Sequence, residues 1–314
     1  MTNPTLTIPV MRTDPATSDP GSADRESAPA ARRRAPVGDA LLGVWGIAGL
    51  LFLFFPVLVI VAYSFNTGRQ LQSWQGFGLD SYANALANPT IISTIQVSLA
   101  AAVGSALVSA ALGSLAGVAL ARSGGRWTAW LVALLGLAMV TPEIVNAVSL
   151  LPWFVTLGAD WGLWWFNLGQ VRLVIAHSLF ACAVVTFIVR ARMAGLDESL
   201  EEAAADLGAP PAQRFWTITF PLMRPAVISG ALLSFTLSLD NTVLSSFVSV
   251  AGATPWPVYV FASLRSTLRP EIAAVSTLML LLTLVALGLV ALILNRAAKR
   301  TGEGSGIAQT LAGG

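Results

Sequence analysis

The chain is poor in charge. Asp, Glu, Lys and Arg make up only 11% of its 314 residues, less than half of the roughly one quarter usual for a soluble domain. That shortage excludes an ordinary soluble globule. A net charge of +2 leaves no electrostatic footprint for nucleic acid. There is one cysteine, Cys182, so no internal disulfide can form. There is one histidine, His177, which by itself builds neither a metal site nor a catalytic triad. Both lie in one apolar run, where the thiol reads as buried and inert and the imidazole as a satisfied interior group. No G-x-x-x-x-G-K-[ST] loop occurs, so the chain is not expected to hold ATP in that manner. No cofactor is expected, and no grouped His, Cys or carboxylate motif points to an enzyme.

What is present is apolar sequence: 55% of residues are hydrophobic and the mean hydropathy is +0.72. Several stretches reach the roughly 18 to 20 residues that a bilayer-crossing helix requires. Six spans are expected, at 40–63, 91–120, 127–150, 171–193, 225–250 and 272–294. The fold class is therefore all-α, a polytopic membrane protein. Residues 1–38, rich in Pro, Ser, Ala and Thr, are expected to be a disordered tail. Residues 39–296 should form the membrane domain, with a polar loop at 195–224, and 297–314 a second tail. Cations set the orientation. With the N-terminus in the cytoplasm, the inner segments hold Arg32 to Arg34, Arg122, Arg126, Arg190, Arg192, Arg214, Arg224, Arg296, Lys299 and Arg300, and the outer ones only Arg69, Arg172, Arg265 and Arg269. Both termini are then cytoplasmic. Trp161, Trp164 and Trp165 fall on the outer side, as an interfacial belt. In the second span, Gly104, Ser105, Ser109, Gly113, Ser114 and Gly117 recur at helical spacing, which allows close helix packing.

Two features stand out against this background. Ionisable groups inside spans are costly and by default mark a pathway or a paired site. Glu143 follows Thr141-Pro142 in the third span, and Asp240 with Asn241 lies in the fifth. All three are candidates for transient contact with a cation, against the alternative of a helix cap or an interhelical hydrogen bond. The other feature is the acidic stretch of Asp197, Glu198, Glu201, Glu202 and Asp206 between two apolar runs. Glu198, Glu201 and Glu202 share one helical face, while Leu196, Leu200, Ala203, Ala204 and Leu207 share the other. Gly208 and Pro210-Pro211 stop that helix, and a second short helix starts at Pro211 and ends at Pro221. The result is an elbow on the cytoplasmic side.

The spacing within this elbow is specific. Glu202-Ala203-Ala204, three residues, Gly208, nine residues, Ile218, one residue and Phe220-Pro221 resembles the EAA loop of ABC importer permeases, with Phe220 in place of Leu. "RPAVISGALLSFTLSLDNTVLSSFVS", "YSFN" and "TPEIV" extend the resemblance, over roughly 40–295, to the spermidine/putrescine permease type. Val227 stands there for Ile, and Asn241 where that type usually carries a second acid, which lowers the local negative charge. The resemblance implies a type I importer fold of six transmembrane helices with no catalysis of its own. It also implies a second permease subunit, two ATPase subunits that bind the ATP, and an external solute-binding protein. The coupling loop would comprise Glu201, Glu202, Ala203, Ala204, Gly208, Ile218 and Pro221. Two alternatives stay open: an importer for another small cationic solute, and an ion-coupled secondary carrier, which would explain Glu143 and Asp240 but not the elbow.

Overall fold

The computed structural model describes residues 37–300 apart from positions 72, 266 and 267. The elements are α1 (Val37–Tyr63), α2 (Asp80–Ala87), α3 (Pro89–Arg122), α4 (Arg126–Val140), α5 (Glu143–Val155), α6 (Gly169–Ala194), α7 (Ser199–Asp206), α8 (Pro211–Arg214), α9 (Phe220–Leu239), α10 (Val243–Val248), α11 (Trp256–Ser263) and α12 (Pro270–Arg300). Five helices are long and apolar enough to cross a membrane, or six if the bent pair α4–α5 is one span. The expected N-terminal tail lies outside the described residues except for its last two positions, which already belong to α1. At the other end α12 runs to Arg300, because Ala, Arg and Lys are good helix formers beyond the apolar width.

The chain divides at Phe54. The first unit contributes the early turns of α1, whose side chains from Leu41 to Phe54 are all exposed. The second unit holds everything from Phe55 onward, and its centre is α3 packed on α6 and α9. Close approach is possible because α3 presents glycines. A Cβ on Gly104 would lie 2.6 Å from Val174, on Gly113 2.7 Å from Val185, and on Gly117 2.8 Å from the Thr186 carbonyl. The expected small-residue face of α3 is thus the seam with α6. Around it, Val185, Val189, Met193, Met223 and Ala226 form one apolar cluster, and Phe154, Leu173, Ala176 and Val248 belong to another.

The "YSFN" stretch orders the loop after α1. Asn66 is fully buried; its Nδ2 donates to the Ser73 carbonyl (2.8 Å), and its Oδ1 accepts from Gly68 (3.1 Å) and Gln75 (3.0 Å). Its carbonyl accepts from the Ser81 hydroxyl (2.6 Å), so one asparagine satisfies a loop that has no ladder of its own.

Two expectations need correction. The third span is not one straight helix: α4 and the segment beginning at Glu143 meet at 104°. Thr141 is extended because Pro142 disfavours the helical region for the residue before it, and the Leu137 carbonyl accepts from both the Thr141 amide (2.9 Å) and the Thr141 hydroxyl (2.7 Å). The helix that carries the fifth span starts earlier, since Pro211–Leu239 is one helix that begins within the polar loop. Pro221 does not end it. Over Phe215–Thr219 the backbone widens to a π turn, in which the Phe220 amide reaches back to the Phe215 carbonyl; such a turn accommodates a residue that cannot donate. The span stops at Leu239, short of 250, and α10 is a separate piece. Arg172, one of the cations assigned to the outer segments, turns its side chain into the bundle. It is 7% exposed, donates to the Phe166 carbonyl, and lies 5.9 Å from the Phe154 ring centre.

Candidate functional site

Two breaks in the helical bundle meet. One is the Thr141-Pro142 corner, which leaves Glu143 in the first turn of α5, where a negative charge complements the helix dipole. The other is Asp240-Asn241-Thr242, between α9 and α10. Asn241 joins them: its Nδ2 donates to Glu143 Oε1 (2.5 Å), and its Oδ1 accepts from the Ser245 amide (3.3 Å) as a cap on α10. That geometry explains the amide at this position. A carboxylate could cap α10 but could not donate to Glu143.

Asp240 is placed differently. It is exposed, and its carboxylate makes no hydrogen bond or ion pair among the described residues. It lines a recess of about 350 Å³ together with Thr242, Trp256, Phe261, Ser276 and Thr283. The structure therefore brings Glu143 and Asn241 together, while Asp240 faces a largely apolar, aromatic-edged hollow.

Below the break lies His177, 5% exposed on α6. Its Nδ1 is 2.6 Å from the Ser238 hydroxyl on α9, and its Nε2 is 2.9 Å from the Ser245 hydroxyl on α10. One imidazole thus ties α6 to both sides of the break. The two serines carried no periodic signal by which the sequence singled them out.

The second site is the elbow. Asp197 accepts from the Ser199 amide (3.0 Å) at the start of α7. Hydrogen bonds from the Ser199 side chain and amide hold the Asp197 carboxyl below its ordinary range. α7 ends in a Schellman turn: Gly208 N–H reaches the Ala205 carbonyl (2.9 Å), and Ala209 N–H the Ala204 carbonyl (3.0 Å). Gly208 has φ +80°. Pro210 is extended and Pro211 opens α8.

The faces of α7 differ from those expected. Glu202 and Glu198 are exposed, but Glu201 turns toward the bundle and pairs with Arg122 and Thr219. Leu200 (49%) and Leu207 (89%) are left exposed, along with Ala203. Ala204, Ile218 and Pro221 are half-buried. Phe220 lies edge-on to Trp216 (5.0 Å between ring centres) and tilted against Phe215 (6.2 Å), and the Arg224 guanidinium lies 5.0 Å from its ring centre. The Phe220 departure is therefore a local aromatic cluster, more than a neutral apolar exchange.

Residues 109–301, more than half of the chain, match the family described as binding-protein-dependent transport system inner membrane component. The chain belongs to that family. This permease is 40% identical, over 74% of its length and 83% of the relative's, to the putrescine transport system permease protein PotI of Escherichia coli (strain K12). It is 36% identical, over 74% and 88%, to the spermidine/putrescine transport system permease protein PotC of Haemophilus influenzae. Among solved structures, it resembles a chain of a bacterial ABC transporter involved in the import of alginate (TM-score 0.60, 17% identity, 82% of this chain and 98% of that one). It also resembles a chain of the MetNI methionine ABC transporter (TM-score 0.52, 15% identity, 67% and 99%). At these identities the structures speak for the fold, that of an ABC importer permease. The permease is thus an all-α, multi-pass inner-membrane component of a transport system.

Proposed function

We propose that this permease forms half of the pathway by which an ABC importer takes up a polyamine such as putrescine or spermidine. The names of its relatives carry the substrate class. Glu143 and Asp240 support it, because an ammonium group leaving water needs a carboxylate to replace its hydration. The recess below Asp240, edged by Trp256 and Phe261, suits the methylene chain between two amines. Asn241 keeps Glu143 oriented. On this reading a binding protein delivers the solute from outside, a second permease subunit supplies the other half of the pathway, and both termini lie in the cytoplasm. ATP is bound and hydrolysed by a separate pair of ATPase subunits, one docking on the exposed face of the elbow around Glu202, Ala203, Leu207 and Gly208. Residues 195–224 are the coupling loop of the membrane domain. A carrier driven by an ion gradient alone would leave this elbow, with Leu200 and Leu207 exposed on it, without a purpose.

The test is uptake of labelled putrescine into liposomes that hold the permease with its partner subunits. Uptake should require ATP and binding protein, and Glu143→Gln and Asp240→Asn should each raise KM. Uptake that persists without ATP would reject the importer reading. Uptake of a different cation in preference to putrescine would reject the polyamine assignment alone.

A further inference from the structure

Three residues far apart in sequence meet at the elbow. Arg122 lies in the last turn of α3, Glu201 in the first turn of α7, and Thr219 at the close of the π turn that leads into α9. Arg122 Nη2 donates to Glu201 Oε1 and also to Thr219 Oγ1 (2.9 Å), and the Thr219 hydroxyl donates to the same carboxylate oxygen. Thr219 is fully buried, while the Arg122 and Glu201 side chains are 38% and 26% exposed. This is the one ion pair among the described residues. Each charge also sits at the helix end that favours it, a cation at a C-terminus and an anion at an N-terminus.

The position of the triad matters more than its strength. A half-exposed pair adds little to stability. But α7 buries none of its own side chains and packs on α8 and the π turn, both continuous with α9. Through the chain, then, the elbow is joined to α6 and α9. To α3 it has no other hydrogen bond among the described residues. α3 is the helix whose glycines seat it against α6, so a push delivered to all three helices moves one block.

We infer that Arg122, Glu201 and Thr219 form the hydrogen-bonded link that, beside the packing of α3 on α6 and α9, carries movement of the elbow into α3, and that Glu201 is a positioning residue and not a contact for the ATPase. This rests on the reading that the ATPase docks on the elbow. The assignment also divides the two adjacent acids: Glu202 faces outward, toward a partner, and Glu201 faces inward, toward the bundle.

The experiment uses the complete transporter in liposomes and reads putrescine taken up per ATP hydrolysed, with ATPase co-purification measured alongside. Glu201→Gln and Arg122→Gln should keep the ATPase bound and lower uptake per ATP by at least about fivefold, the low end of site-to-site coupling. Thr219→Val, which alters no charge, should lower it by about twofold. Exchanging the charges, Arg122→Glu with Glu201→Arg, re-forms the pair but puts each charge at the helix end that disfavours it, so the ratio should be restored in part, to at least about twofold above either single variant. Ratios unchanged in all three single variants overturn the inference. So does a charge exchange that fails to restore the ratio even in part when Thr219→Val is also without effect. Leu207→Asp on the outward face is the control: if it leaves the ATPase bound, the docking reading falls, and this inference with it.

Discussion

Gly208 separates conformation from volume. It sits at φ +80°, where an L side chain is strained, yet a Cβ built there meets nothing within 4 Å. The chain by itself therefore penalises a side chain only through its backbone. An alanine in this left-handed turn costs about 1 kcal/mol and a β-branched valine about 2 kcal/mol. Those costs lower the closed-to-open ratio of the Schellman turn by roughly fivefold and thirtyfold. Asparagine visits this conformation readily and should stay within about twofold of glycine. Putrescine uptake by the reconstituted transporter, together with protease cleavage around 207–211, should thus rank Gly208→Asn mildest, Gly208→Ala intermediate and Gly208→Val worst. If Gly208→Asn blocks uptake as fully as Gly208→Val, backbone strain is the wrong explanation. Volume would then decide, because a partner fills the space that is open on this chain.

Other perturbations follow from the same geometry. Asn241→Asp removes the donor to the exposed Glu143 and sets two carboxylates within hydrogen-bond reach, costing about 0.5–1.5 kcal/mol, read as a lower melting midpoint in detergent; an unchanged midpoint would reject the Asn241–Glu143 contact. His177→Ala strands the Ser238 and Ser245 hydroxyls and leaves a gap, for a loss of about 2–4 kcal/mol by the same melt. Gly113→Val drives a branched side chain into Val185 and the Cys182 carbonyl across the α3–α6 seam, costing about 1–3 kcal/mol; a midpoint at the parent value would show that the helices are not in close contact there. Phe220→Leu restores the residue common in related loops but gives up the Trp216 and Arg224 contacts, so it should be destabilising by about 0.5–1.5 kcal/mol rather than neutral.

The spans, the glycine seam and the elbow were legible in the linear order of residues because each rests on a local rule. A run of apolar residues has only the bilayer to satisfy it. Glycine at helical spacing has one packing consequence, and a helix followed by Gly208 and two prolines has to turn. The stop at Pro142 is equally local, yet hydropathy predicts a continuous span there, since it ignores backbone direction and cannot see a 104° corner. Pro221 misled in the opposite way, because a π turn absorbed it.

The rest belonged to tertiary structure. Helical periodicity placed Glu201 with the outward acids, but Arg122, 79 residues away, draws it into the bundle. His177 could be recognised as an interior residue, yet its partners lie 61 and 68 residues further on. Nothing near Asn241 announces that its amide must donate to Glu143, 98 residues earlier. Sequence by itself decided which segments are apolar enough to span a membrane and where the elbow helix stops, because hydration and backbone freedom act residue by residue. Only the packed bundle decided which polar groups face one another, because an ion pair or hydrogen bond depends on distances that the linear order does not contain.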